Sequence, residues 1–167
     1  MPDAPHFDTP VARAATAVIL VGAAAILGAW GFQLAGYVPC PLCLQQRIPY
    51  YFGVPIAFVA FFMARRMPGS ALPRVLIGIV GLLFLAGAGL AAYHAGVEWK
   101  FWAGPADCAA STARAVTTGN LLESLNDAVL VRCDEAAWRL FGISLAGWNF
   151  VISLPLAIIS LGAAFRR

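Results

Sequence analysis

The sequence predicts an all-α membrane protein, a bundle of four transmembrane helices. Three observations carry this. The 167 residues are 61% hydrophobic and only 11% charged, less than half the charge of a soluble domain. Four runs lack Asp, Glu, Lys and Arg altogether: Ala14–Gln46, Ile48–Ala64, Val75–Val97 and Gly142–Phe165. Each is near the ~20 apolar residues that cross a bilayer as a helix. The spans are placed at about 14–35, 46–64, 74–94 and 144–165, in one integral-membrane domain covering 1–167.

Basic residues set the orientation. Arg65, Arg66 and Arg74 crowd the short loop between spans two and three, Arg13 precedes span one, and Arg166 and Arg167 follow span four. The positive-inside rule makes that face cytoplasmic, with both termini on it. The loops at about 36–45 and 95–142 then share the periplasmic face. The longer loop sets Glu98, Asp107, Glu123, Asp127, Asp134 and Glu135 against Lys100, Arg114, Arg132 and Arg139, and is net acidic. The overall formal charge of +3 is scattered. There is no basic stripe of the kind nucleic acid requires.

Span one is read as retained rather than cleaved, because its basic flank is weak and its apolar run exceeds a signal-peptide core. Ala24 and Gly28 within it, and Ala88 and Ala92 in span three, are small residues at four-residue spacing, which permits close helix approach. Span two borrows its first turn from Gln45-Gln46-Arg47. Pro49 falls early in that span, where a missing N–H costs little. Pro55 and Pro155 fall inside spans two and four and are expected to kink them. Within the long loop, Leu121, Leu122, Leu125, Ala128 and Val129 share one helical face, with Thr118 or Asn120 as cap. That segment reads either as a helix lying on the membrane or as a loop packed on the protein. Trp30, Tyr37, Tyr50, Tyr51, Tyr93, Trp99 and Trp102 gather at the periplasmic ends, as an aromatic belt or as walls for a flat apolar ligand.

The chemistry rests on four cysteines: Cys40 and Cys43 in Pro39-Cys40-Pro41-Leu42-Cys43, and Cys108 with Cys133 in the long loop. All four fall on the face where disulfides persist. A Cys-x-x-Cys pair binds metal, holds a disulfide or exchanges thiols. Structural zinc needs four ligands, and the long-loop cysteines have no cysteine or histidine close in sequence, so no metal is expected. Three pairings are open to four cysteines; the local ones, Cys40–Cys43 and Cys108–Cys133, need the least long-range rearrangement. Arg47 lies four residues after Cys43 at the start of span two, so a helical turn brings them to one face. A helix N-terminus and a guanidinium both stabilise a thiolate, here that of Cys43. The plainer reading of Arg47 is snorkelling to headgroups. A disulfide that oxidises others must itself be re-oxidised. The chain has no nucleotide-binding glycine fingerprint and no haem histidine pair in its spans, which leaves a lipid-soluble quinone by elimination.

Four spans, the run Pro39-Cys40-Pro41-Leu42-Cys43-Leu44-Gln45-Gln46-Arg47, the long-loop cysteines, and Cys133-Asp134-Glu135-Ala136-Ala137-Trp138 leading through Phe141-Gly142 into span four together resemble the DsbB family of bacterial inner-membrane, quinone-dependent disulfide oxidoreductases. The resemblance covers nearly the whole chain. It implies a ubiquinone or menaquinone at the periplasmic end of the bundle and a DsbA-like thioredoxin-fold partner in the periplasm. It implies that the partner attacks a Cys108–Cys133 disulfide at Cys108. Cys133 then engages Cys40 and displaces Cys43 as the thiolate that faces the quinone. It gives Arg47 a supporting role at that step and places His94 near the quinone. Paralogues in the family serve dedicated partners, so the partner is not fixed by the resemblance.

Two other classes compete. A non-catalytic membrane protein would use the same cysteines as structural braces resistant to mild reductant. A small transporter would need ionisable residues in its spans, which are almost absent.

Overall fold

The computed structural model describes residues 9–67, 69–105 and 132–166. Cys108, His6 and the amphipathic segment at 120–130 lie outside the described residues. Helix α1 runs Pro10–Leu34, the short α2 Pro41–Gln45, α3 Ile48–Arg66, α4 Leu72–Glu98 and α5 Leu145–Phe165. A two-residue antiparallel pair, β1 (Arg139–Leu140) and β2 (Ile143–Ser144), precedes α5. Four stretches are long and apolar enough to cross a membrane: α1, α2 with α3, α4 and α5.

Local chemistry sets the ends. The Thr9 hydroxyl accepts from the Ala12 N–H and Pro10 opens α1, so that helix starts a turn before the expected residue 14. The Ser144 hydroxyl accepts from the Gly147 N–H and caps α5. The predicted second span is two helices. Pro41 opens α2 after Cys40, the chain turns at Gln46–Arg47, and Pro49 stands in the first turn of α3. Pro55 and Pro155 lie inside α3 and α5, and both helices continue through them. Helix α4 extends a turn past the expected residue 94, to Glu98. The hairpin tip uses left-handed backbone at Phe141 (φ 52°) and Gly142 (φ 80°), the conformation a two-residue loop needs to match strand twist.

The helices form a ring. Helix α4 packs most extensively on α5, α3 joins α4 to α1, and α1 closes back on α5. The interior is built of small and branched residues: Ala14, Ala15, Val18, Ala57, Ile77, Val80, Phe84 and Ala157. Large side chains such as Leu20, Leu27, Phe58, Leu82 and Ile158 point outward. That inversion suits lipid, where close packing of small residues rather than escape from water holds helices together. The tight crossings are at other glycines than the small pairs expected from sequence. A Cβ on Gly22 would meet Val54, on Gly53 Phe84, and on Gly81 Leu161, all at 2.7 Å. Gly28 has nothing within 4 Å of such a Cβ, and Ala24 and Ala92 are exposed; of the expected small residues only Ala88 is buried. Four-residue spacing marks a face but not which face meets a neighbour.

Candidate redox site

One end of the bundle carries the chemistry. Cys40, Leu42 and Cys133 are buried together, with Cys43 and Leu90 against them. Cys40 and Cys43 are free thiols, and Cys133 is disulfide-bonded. The Cys40 Sγ, Cys133 Sγ and a ring nitrogen of His94 all lie within 4.8 Å of one another. Cysteines from the segment between α1 and α2 and from the segment preceding β1 thus come together at one end of the fold.

Two charged contacts hold the returning chain in place. Asp134 is bonded to Lys100 at 2.5 Å and to Arg132 at 2.8 Å, and so links the start of the long loop to the segment bearing Cys133. The Arg132 and Lys100 hydrogen bonds hold the Asp134 carboxyl well below the usual carboxylate range. At the other side, Trp102 stacks on Tyr93 and donates to the Tyr93 carbonyl at 2.9 Å. Gly96 leaves the room this needs, since a Cβ there would sit 2.1 Å from the indole.

The helix N-terminus serves Cys40 rather than Cys43, contrary to the expectation from sequence. Cys40 is the N-cap of α2, and the Cys43 N–H donates to its Sγ at 3.1 Å. A sulfur at the N-cap receives an otherwise unsatisfied amide; a sulfur three residues inside the helix does not. The Cys43 side chain, then His94 at 3.8 Å, and last the Cys43 backbone N–H draw the Cys40 thiol down to about 5 against the opposing effect of burial.

Cys43 faces a different space. A cavity of about 240 Å³ is lined by Cys43, Arg47, Gln33, Gln46, Tyr50, His94 and Asn149, with Ile26, Phe32, Val38 and Ile152 among its apolar walls. The Arg47 guanidinium donates to Gln33 Oε1 at 2.8 Å, so it is held at the cavity and is not simply snorkelling. Cys43 and Arg47 both line the cavity, from either side of the turn between α2 and α3.

A buried polar chain backs the cavity. Tyr50 donates to Asn149, Asn149 Nδ2 donates to Gln46 Oε1 at 2.6 Å, and Gln46 Nε2 lies 2.6 Å from His94 Nδ1. His94 Nε2 in turn is 3.8 Å from Cys40 Sγ and 3.9 Å from Glu98 Oε1. Glu98, assigned to the loop from sequence, is therefore a buried residue of α4; among the described residues its Oε2 has no hydrogen-bond partner. Tyr50, read as a belt residue, is interior and bonds both Asn149 and Ser153. Gln33, Gln46 and Asn149 are site residues that the cysteine motif does not single out. Asn149 carries a signal all the same: an amide four residues before Ser153 in a charge-free span is costly unless partnered.

The family model for disulfide bond formation protein DsbB matches residues 12–163. The chain belongs to the DsbB family. Curated relatives agree. A disulfide bond formation protein B of Marinobacter nauticus is 31% identical over 141 residues, covering 81% of this chain and 80% of that one. The namesake in Nitrosomonas eutropha is 29% identical, covering 75% and 76%, and that in Aromatoleum aromaticum is 27% identical, covering 84% and 86%. No solved structure matches. Membership of the DsbB family makes this multi-pass membrane chain a disulfide-forming oxidoreductase, so the cysteine end described above is its candidate active site.

Proposed function

We propose that this chain re-oxidises a DsbA-like, thioredoxin-fold dithiol protein in the periplasm and passes the electrons to a membrane quinone. The single observation that carries the reading is the position of the Cys40–Cys43 pair. Cys40 stands against the disulfide-bonded Cys133, and Cys43 lines the cavity.

The residues present fit a quinone. The cavity is walled by Phe32, Ile26 and Ile152 for a flat apolar ring, with Arg47 and Gln33 as polar groups for its oxygens and His94 at its lining. A bound ubiquinone or menaquinone would supply a sink for two electrons and two protons. The remaining chemistry belongs to the chain. The partner's thiolate attacks Cys108 of a Cys108–Cys133 disulfide, forming a mixed disulfide and releasing Cys133 as thiolate. Cys133 attacks Cys40 of a Cys40–Cys43 disulfide, forming a Cys133–Cys40 bond and releasing the Cys43 thiolate beside Arg47. The partner's second thiolate then displaces Cys108, leaving the partner oxidised. Cys108 attacks Cys133, which restores their disulfide and releases Cys40. The net result is a Cys40–Cys43 dithiol. Re-forming that disulfide releases two electrons and two protons, matching the sink. Each exchange is favoured by a low-pKa leaving thiol, and Cys40, which departs last, is the depressed one.

The cysteine end belongs in the periplasm of the bacterial inner membrane. Arg65 and Arg66 close the opposite end of the 19-residue α3, roughly 28 Å away along its axis, and basic ends stay cytoplasmic.

The test is quinone reduction by the purified protein, followed by loss of quinone absorbance with a reduced thioredoxin-fold donor. Turnover that disappears in Cys43→Ser supports the reading. Absence of turnover across several donors and quinones overturns it.

A further inference from the structure

We propose that Gln46 and Asn149 are positioning residues that fix the tautomer of His94, so that its Nε2–H faces the Cys40 sulfur. This deepens the proposed function and rests on Cys40 being a redox thiol.

The argument is one of hydrogen-bond polarity. An amide has one donor end and one acceptor end, so a chain of amides transmits direction. Asn149 Oδ1 accepts from the Tyr50 hydroxyl, whose oxygen in turn accepts from Ser153 at 2.9 Å. Its Nδ2 is thereby turned to Gln46 Oε1 at 2.6 Å. Gln46 must then present its Nε2 to His94 Nδ1, 2.6 Å away. A ring nitrogen that accepts from an amide N–H carries no proton. The His94 proton is left on Nε2, which lies 3.8 Å from Cys40 Sγ. The Cys43 N–H reaches the same sulfur from the other side at 3.1 Å. Two fixed donors thus converge on Cys40, one from the backbone and one set by residues on α5 and the α2–α3 turn.

The chain is buried at its His94 end and half-buried at Asn149: Gln46 is 5% exposed and His94 2%. A broken link is therefore not made good cheaply by water. Among the described residues the other titratable groups around Cys40 are Cys43 on α2 and Glu98 on α4, with Arg139 of the hairpin acting on Glu98. Glu98 faces Nε2 and not Nδ1.

The chain has two histidines. A His6→Gln protein labelled with ¹⁵N-histidine in lipid nanodiscs therefore reports the His94 ring alone. With the Cys40–Cys43 pair reduced at neutral pH, the ring nitrogens are expected to show the Nε2–H tautomer. Gln46→Met removes the donor to Nδ1. Asn149→Leu leaves every atom touching His94 in place but frees Gln46 to turn over. Both are expected to bring in the Nδ1–H form and to lower the Cys40 acid dissociation constant about tenfold, read from thiolate absorbance. An Nδ1–H or doubly protonated ring in the starting protein overturns the proposal. So does a ring unchanged in both variants. Neither readout needs turnover, so a failed quinone assay and a failed tautomer assignment are separate results.

Discussion

The Cys40 sulfur lies within 4.8 Å of the Cys133 sulfur, although Cys133 is already disulfide-bonded and Cys40 is a free thiol. A disulfide bond is about 2.05 Å long, so side-chain rotation and a small backbone movement separate contact from exchange. Burial of both sulfurs keeps competing thiols away from this encounter.

A protein retaining only these two cysteines, Cys43→Ser with Cys108→Ser, is therefore expected to close a Cys40–Cys133 disulfide on mild oxidation. The measurement is maleimide uptake by mass spectrometry before and after oxidation. Two reactive thiols persisting after oxidation would show that the sulfurs do not meet, and the order of exchange would have to change.

The acidity of Cys40 gives a pH signature. Its thiol is drawn down to about 5, first by the hydrogen bond with Cys43 and then by His94. A depressed acid is ionised above its folded pKa and loses that charge as pH falls through it. Thiolate absorbance in Cys43→Ser, whose hydroxyl still donates, is expected to remain well below the ordinary thiol midpoint. Cys43→Ala loses the largest contribution and should titrate at higher pH. Cys40→Ser in each background is the blank, and a midpoint near the ordinary thiol value in both would remove the N-cap argument.

Packing at Gly81 and Gly89 separates bundle crossings from lipid-facing positions on the same helix. A Cβ at Gly81 would lie 2.7 and 2.9 Å from Leu161 side-chain atoms and 3.0 Å from its backbone nitrogen, whereas Gly89 has open space. Gly81→Ala should destabilise by about 1–3 kcal/mol through overpacking. Gly89→Ala should be neutral or gain up to about 1 kcal/mol from helix propensity. Reversible unfolding in mixed micelles compares them; equal effects would mean that α4 and α5 do not cross at Gly81.

The helices are legible in the sequence because lipid imposes a strong rule, namely long charge-free runs, and it applies to each span separately. That Cys40 and Cys43 stand together at one end of the bundle is legible from Cys-x-x-Cys at the start of a span. What escapes depends on contacts between spans. The break after Gln45 puts the helix N-terminus on Cys40, and no local pattern marks it beyond Pro41 and Pro49. Glu98 reads as a loop acid because a carboxylate normally ends a span, yet α4 carries it inward beside His94. Gln46 meets Asn149 across 103 positions, and only the closed ring of helices brings them together.

Arg47 and Gln33 form the last test. The guanidinium is anchored on Gln33 Oε1 at 2.8 Å and lines the cavity with Cys43. Charge-assisted hydrogen bonds of this kind contribute ~1.5–3 kcal/mol. Arg47→Ala is therefore expected to reduce quinone turnover about ten- to a hundredfold. Gln33→Ala keeps the charge and loosens its aim, so its loss should be smaller and fall mainly on the KM for quinone. In both variants attack of the partner on the Cys108–Cys133 disulfide should proceed as before, because neither residue belongs to the cluster that buries Cys133. Rapid-quench trapping of partner adducts alongside steady-state quinone reduction separates the two steps. If Arg47→Ala slowed adduct formation and quinone reduction equally, the arginine would belong to the fold of the α2–α3 turn and not to the cavity's chemistry.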